Sequence, residues 1–209
     1  MNTNLFNNAF PFFRLFQKQA LTLGDAVKKL DGLFHDFNSV PDQCRHIDAL
    51  VAAGDATCRE VERELSLTFI ESLDREDIRD LNRAFERTYQ AVHAVSSRIG
   101  LYGFSSIEKG AGELVFCLAE MAAEIGPLLE IVVLKGNGAA NLERVRKLKA
   151  EAGMYLLVGL GAVYESAGGS VAHLLEAMKW SQIYDRLEDA VSCLEHTANV
   201  IERMILKKV

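Results

Sequence analysis

Between Phe10 and Phe37 the residues Phe13, Phe16, Ala20, Leu23, Val27, Leu30 and Phe34 follow one another at steps of three or four. A helix turns once in 3.6 residues, so such steps keep returning to one side, and the segment is expected to be a long amphipathic helix. Asn38, Ser39 and Pro41 interrupt it. A second stripe of the same spacing then runs through Ile47, Leu50, Gly54, Cys58, Val61, Leu65 and Phe69. Past Ser72, the string Asp74-Arg75-Glu76-Asp77 puts carboxylates where a helix start exposes partly positive N–H groups. Ile78, Leu81, Phe85, Tyr89, Val92, Val95 and Ile99 make the third stripe.

Gly103 closes this region. Ser105 and Glu108 have the spacing of a capping box, which starts a fourth helix reaching about Leu134, with Pro127 inside it. The turn Gly136-Asn137-Gly138 leads to a fifth helix over 141–166, whose core face is marked by Val145, Leu148, Ala152 and Tyr155. Within it, residues 152–164 carry no charge. Thirteen residues fall short of the roughly 20 needed to cross a bilayer, so this run is expected to be a buried core helix. Gly168 and Gly169 end the fifth helix. The sixth, from Ser170, carries Ile183, Leu187, Ala190, Leu194, Thr197, Ile201 and Ile205, with Lys207 and Lys208 at its negative end. Short connections make neighbours antiparallel, so the fold class expected is an all-α, antiparallel up-and-down bundle of about six helices. One domain spanning 1–209 would divide into an N-terminal half at about 10–102 and a C-terminal half at about 105–209. A faint repeat lays Ile47, Leu50 and Gly54 over Val145, Leu148 and Ala152, and Phe85-Glu86 over Leu187-Glu188.

Composition agrees with a packed protein: 49% of the 209 residues are hydrophobic and only three are proline. The net charge of −6 argues against nucleic acid as a partner, because phosphate backbones are held by clustered Lys and Arg. Cys44, Cys58, Cys117 and Cys193 are widely spaced without a CxxC pair, which suits buried thiols in a reducing compartment. The first residues lack a basic n-region and Arg14 interrupts the apolar stretch there, so no secretory signal is expected and the location predicted is cytoplasmic.

Catalytic patterns are missing. His35, His46, His93, His173 and His196 form no HExxH, and Gly159-Leu160-Gly161 sits inside a helical run rather than after a strand. No enzyme activity is expected. Phe6, Phe10, Phe12, Phe13 and Phe16 are read as packing over the bundle end. The lone Trp180 is placed near a helix junction, and Arg144, Arg146, Lys147 and Lys149 are read as a solvated flank.

The segment Thr68-Phe69-Ile70-Glu71-Ser72-Leu73-Asp74-Arg75-Glu76-Asp77-Ile78 resembles the signature of PhoU-like phosphate-transport regulators, the Pit accessory group. Lys179-Trp180-Ser181-Gln182-Ile183-Tyr184-Asp185-Arg186-Leu187-Glu188-Asp189 and the ending Val200-Ile201-Glu202 are similar to the same family. The resemblance implies two three-helix halves and a cytoplasmic regulator acting by contact with an inorganic phosphate permease. Association with the membrane would run through that permease, and homo-oligomers are compatible with it. Family members carry carboxylates four residues apart on one helix face for a metal. The corresponding positions here are Val51 and Asp55, Glu86 and Gln90, Lys149 and Gly153, and Glu188 and Ser192. The resemblance therefore leaves Asp55, Glu86 and Glu188 as metal-site candidates, an incomplete set suited at most to weak binding of a divalent cation or iron. Two other readings follow from the same helices: a carboxylate-based metal protein or metal-dependent enzyme, and a structural oligomer.

Overall fold

The computed structural model describes the backbone of residues 3–68, 72–104 and 106–208, with side chains over 11–68, 75–104 and 106–207. Six helices make up the described residues: α1 (Thr3–His35), α2 (Val40–Leu67), α3 (Ser72–Tyr102), α4 (Lys109–Leu134), α5 (Ala139–Ser166) and α6 (Val171–Lys208). No strand occurs among them, so the all-α reading is correct. The first helix begins at Thr3 rather than near Phe10 and takes Pro11 within it.

The helix ends follow from local chemistry. Ser39 adopts a left-handed conformation at φ 57°, and Pro41 falls in the first turn of α2, where its missing N–H leaves no internal bond unmade. The spacing of Ser105 and Glu108 points to a Ser cap, but Glu108 itself caps α4, its side chain accepting a hydrogen bond from the Ala111 N–H at 2.9 Å. Ser105 lies outside the described residues. A carboxylate there satisfies a free backbone donor and lies at the positive end of the helix dipole. Asn137 does the same for α5 by accepting from Ala139 N.

In the first half of the chain (α1–α3) α2 packs on α1 and α3; in the second half of the chain (α4–α6) α5 packs on α4 and α6. α1 also lies against α4 and α3 against α6, so α2 and α5 are outermost and share no contact among the described residues. Contact between α4 and α6 is much more extensive than between α1 and α3. The four inner helices bury Leu23, Leu30, Phe85, Met121, Leu187 and Ile201 completely. Trp180 sits at a junction, its ring 4.2 Å from that of Phe104 and 6.5 Å from that of Phe34. Phe12, Phe13 and Phe16 are buried; the side chains of Phe6 and Phe10 lie outside the described residues.

The uncharged run at 152–164 corrects the expectation of a buried core helix. Ala152, Leu156, Gly159 and Val163 are buried, but Met154, Leu157, Val158 and Tyr164 point outward. As an outer helix α5 has one inward stripe, which four residues of the run fill; the remaining apolar residues face away from the core. Hydropathy alone does not separate these two faces when both are apolar.

Candidate functional site

Inside the first half, polar side chains occupy core positions. Gln19 on α1 is fully buried, and its Nε2 donates to Asn82 Oδ1 at 3.0 Å and to Cys58 Sγ at 3.1 Å. Asn82 Nδ2 donates in turn to the Cys58 carbonyl at 3.1 Å and to Glu62 Oε1 at 3.3 Å. The Tyr89 hydroxyl donates to the Gln19 carbonyl at 2.6 Å. Its ring crosses α2 at Gly54, where an added Cβ would overlap it, so glycine is what lets α2 and α3 approach here. These bonds link α1, α2 and α3 in a fixed register. Burial, with Asp55 and Glu86 next in effect, pushes the Cys58 thiol up to about 12. Burial also raises Tyr89, with Cys58 and Asp55 acting in the same direction. Both groups are held neutral.

Asp55 on α2 and Glu86 on α3 both act electrostatically on the Cys58 thiol. Asp55 Oδ1 is buried without a hydrogen-bond partner among the described residues, whereas Glu86 is exposed. Glu188 is exposed on α6, in the other half. A hard cation or iron takes several oxygen or nitrogen donors around one point. Among the described residues no three His, Cys, Asp or Glu side chains form a group that could hold a metal ion. The donors present among the described residues therefore do not fit a metal centre.

The positions where the resemblance implies further carboxylates are occupied by groups with other tasks. Lys149 on α5 makes an ion pair with Glu195 on α6, so an ammonium ties the helices together there. Gln90 and Ser192 line a groove of about 440 Å³ between α3 and α6, together with Arg87, Arg186, Asp189 and His196. Its guanidinium groups repel a cation, although Arg186 Nη1 is bonded to Asp189 Oδ2 at 2.8 Å.

The basic run on α5 is a largely solvated flank, as expected, and its cations stand in surface ion pairs. Arg146 Nη2 donates to both oxygens of Glu202 at 2.8 Å, Arg144 pairs with Glu120 and Glu124, and Lys147 lies 3.9 Å from Glu151. Asp77 and Asp80 do more than oppose a helix dipole: they pair with Lys207 and Arg203 on α6. The Asp74 side chain lies outside the described residues.

The Gln19–Asn82–Tyr89 network escapes a reading based on apolar stripes. Gln19 falls three residues after Phe16 and four before Leu23, and Asn82 three residues before Phe85, so both occupy core spacing. A polar residue at such a position signals a buried hydrogen-bond partner on another helix.

No protein-family model matches the chain. It is 28% identical over 204 residues to a protein of Rhizobium meliloti (strain 1021) named as a pit accessory protein, covering 95% of this chain and 94% of that one. Two crystal structures from Shewanella oneidensis MR-1 share its fold. One, of a PhoU-like protein, has a TM-score of 0.74 at 12% identity, covering 94% of this chain and 99% of that chain. The other, named as a PhoU-like phosphate regulatory protein, has a TM-score of 0.72 at 12% identity, covering 95% and 100%. The chain therefore has a PhoU-like helical fold and is similar, along nearly its whole length, to a pit accessory protein.

Proposed function

We propose that this protein is a cytoplasmic accessory of inorganic phosphate transport that regulates a Pit-type permease by direct contact and catalyses no reaction. The observation that carries the reading is the whole-length similarity to a pit accessory protein, since both chains are covered almost from end to end. The internal architecture is in keeping with it. Gln19, Asn82 and Tyr89 bond across three helices rather than converging on a pocket, and Cys58, the thiol among them, is neutral and shielded. A nucleophile or general base needs the opposite: access and a pKa near the working pH. No helix among the described residues is long and apolar enough to cross a membrane, so a membrane-embedded partner would be reached through surface contact.

Deleting the gene should change phosphate uptake, and the affinity-tagged protein should co-purify with the permease. Failure of both overturns the proposal. Elemental analysis separates it from a metal-protein reading: stoichiometric iron, manganese or zinc, abolished by Asp55→Ala and Glu86→Ala, would replace regulation by contact with metal chemistry.

A further inference from the structure

The α5–α6 hairpin turns apolar side chains toward solvent on both helices. Met154, Leu157 and Val158 on α5 are 67%, 73% and 71% exposed, and Val171, Leu174 and Leu175 on α6 are 74%, 48% and 54% exposed. On each helix these residues follow steps of three and one, the spacing of a single face. That face is additional to the stripe already buried in the core. The Tyr164 hydroxyl bonds to Ser181 Oγ at 3.1 Å, which ties the end of the α5 stripe to α6. Outward apolar faces of this kind mark a surface that another molecule covers.

Charge selects the occupant. From residue 152 to 178 there is no Lys or Arg, and the formal charges are Glu165 and Glu176, with Glu151 just before. Lys179, the next cation, donates from Nζ to the Tyr102 carbonyl at 3.1 Å. Helices that lie on membranes present Lys and Arg to anionic headgroups, and residues 152–178 of this hairpin present none. A second copy would bring two acidic edges together. The complement is an apolar helical surface edged with basic residues, which is the pattern at the cytoplasmic ends of membrane-protein helices. Gly153 and Gly161 add to the case. A Cβ on either meets nothing within 4 Å, so packing inside this chain does not require glycine, while an incoming helix would approach more closely across them.

We infer that the outer face of the α5–α6 hairpin is the surface on which the permease docks, through an apolar helical segment with a basic rim. The inference rests on the permease reading above. Its test is capture of the tagged permease from detergent extract by wild-type protein, by Leu157→Asp/Val158→Asp, by Leu174→Asp/Leu175→Asp, and by Leu21→Asp on α1 as a control. Circular dichroism establishes folding of each, and the two hairpin variants on different helices keep the result decisive if one misfolds. Each folded hairpin variant should lose about tenfold or more in capture, and Leu21→Asp should lose nothing, since the energy of an interface concentrates in a few buried apolar contacts. Glu165→Lys/Glu176→Lys should also weaken capture.

Failure of the wild-type protein to capture the permease would defeat the permease reading, and the inference with it. Undiminished capture by both hairpin variants would overturn the inference alone. So would a dimer lost in these variants while capture is unchanged, or hairpin-dependent binding to phosphatidylcholine–phosphatidylglycerol vesicles without permease.

Discussion

Among the described residues, Gln19, Thr57, Asn82, Thr88 and Ser96 of the first half are buried among apolar neighbours; in the second, Glu124 and Thr197 are the buried polar residues, and an apolar surplus is outside, on the α5–α6 hairpin. Of these, Gln19 and Asn82, together with Tyr89, make the directional bonds that hold three helices in register, whereas Thr57 bonds back to its own helix and Thr88 also reaches Thr197 on α6. The second half relies on broad α4–α6 packing and leaves a face open. Hydrogen bonds demand particular partners at particular heights, whereas apolar packing tolerates exchange. An ordered frame in one half and an adaptable surface in the other would suit the proposed regulation by contact.

Beneath that difference both halves use the same device. Tyr89 on α3 crosses Gly54 on α2 and donates to the Gln19 carbonyl on α1; Tyr184 on α6 crosses Gly159 on α5 and donates to Glu108 at the start of α4. Each tyrosine comes from the third helix of its half, passes the second at a glycine and reaches the first. Removing either tyrosine should cost more stability than any other single change at these crossings. Tyr89→Ala and Tyr184→Ala should each lose about 3–5 kcal/mol in urea unfolding, from lost burial and the cavity left behind. Tyr89→Phe should lose only about 1 kcal/mol, the value of a single hydrogen bond. Equal losses from Phe and Ala at position 89 would mean the ring itself contributes nothing.

The glycines should matter next. A methyl group at Gly54 or Gly159 overlaps the facing tyrosine, so Gly54→Ala and Gly159→Ala are expected to destabilise by roughly 1–3 kcal/mol despite alanine's better helix propensity. Chemical denaturation of both variants shows whether the halves are equally tight at these crossings. A stabilised Gly159→Ala would end the parallel between them.

The six helices are legible because their core stripes, such as Ile78-Leu81-Phe85-Tyr89, repeat at helical steps that tertiary packing then uses directly. The glycine–tyrosine crossings are not legible in the same way. Gly54 reads as one more small residue in a stripe and Gly159 as part of an apolar run, and only the three-dimensional approach shows what each faces. Laying Gly54 over Ala152 follows the stripes but misses the crossings, since the tyrosines stand at different heights in the two halves. Of the candidate site, helical periodicity places Asp55 on the second helix and Glu86 on the third, while their choice as candidates comes from the family resemblance. The orphaned Asp55 Oδ1, the Lys149–Glu195 pair and the exposed side of α5 depend on how helices rotate against one another, which residue order does not specify.

Alkaline pH probes the buried thiols of both halves. Burial raises Cys58 from 9.0 to about 12 and Cys117 from 9.0 to about 11. Above pH 9.0 the unfolded thiols ionise while the folded ones keep their protons, so the stability they contribute is complete below that pH and is lost as pH rises through the folded values. Each thiol should steepen the fall by about 1 kcal/mol per pH unit just above its unfolded pKa. Urea unfolding at successive pH values should show a shallower fall for Cys58→Ser than for wild type. An unchanged slope would mean that Cys58 ionises as readily in the fold as out of it.

The smallest change in stability belongs to Gly161 and carries the opposite sign from Gly159, two residues away. Nothing lies within 4 Å of a Cβ at Gly161, and alanine restrains the unfolded chain and favours helix, so Gly161→Ala should stabilise the isolated protein by about 0.5–1 kcal/mol. Thermal melting checks this first part. The same methyl group stands on the face assigned to the permease, and there it should reduce capture even as the melting temperature rises. A gain in stability with full capture would place Gly161 outside the docking surface; a loss of stability would show that the outer side of α5 is packed against something within this chain.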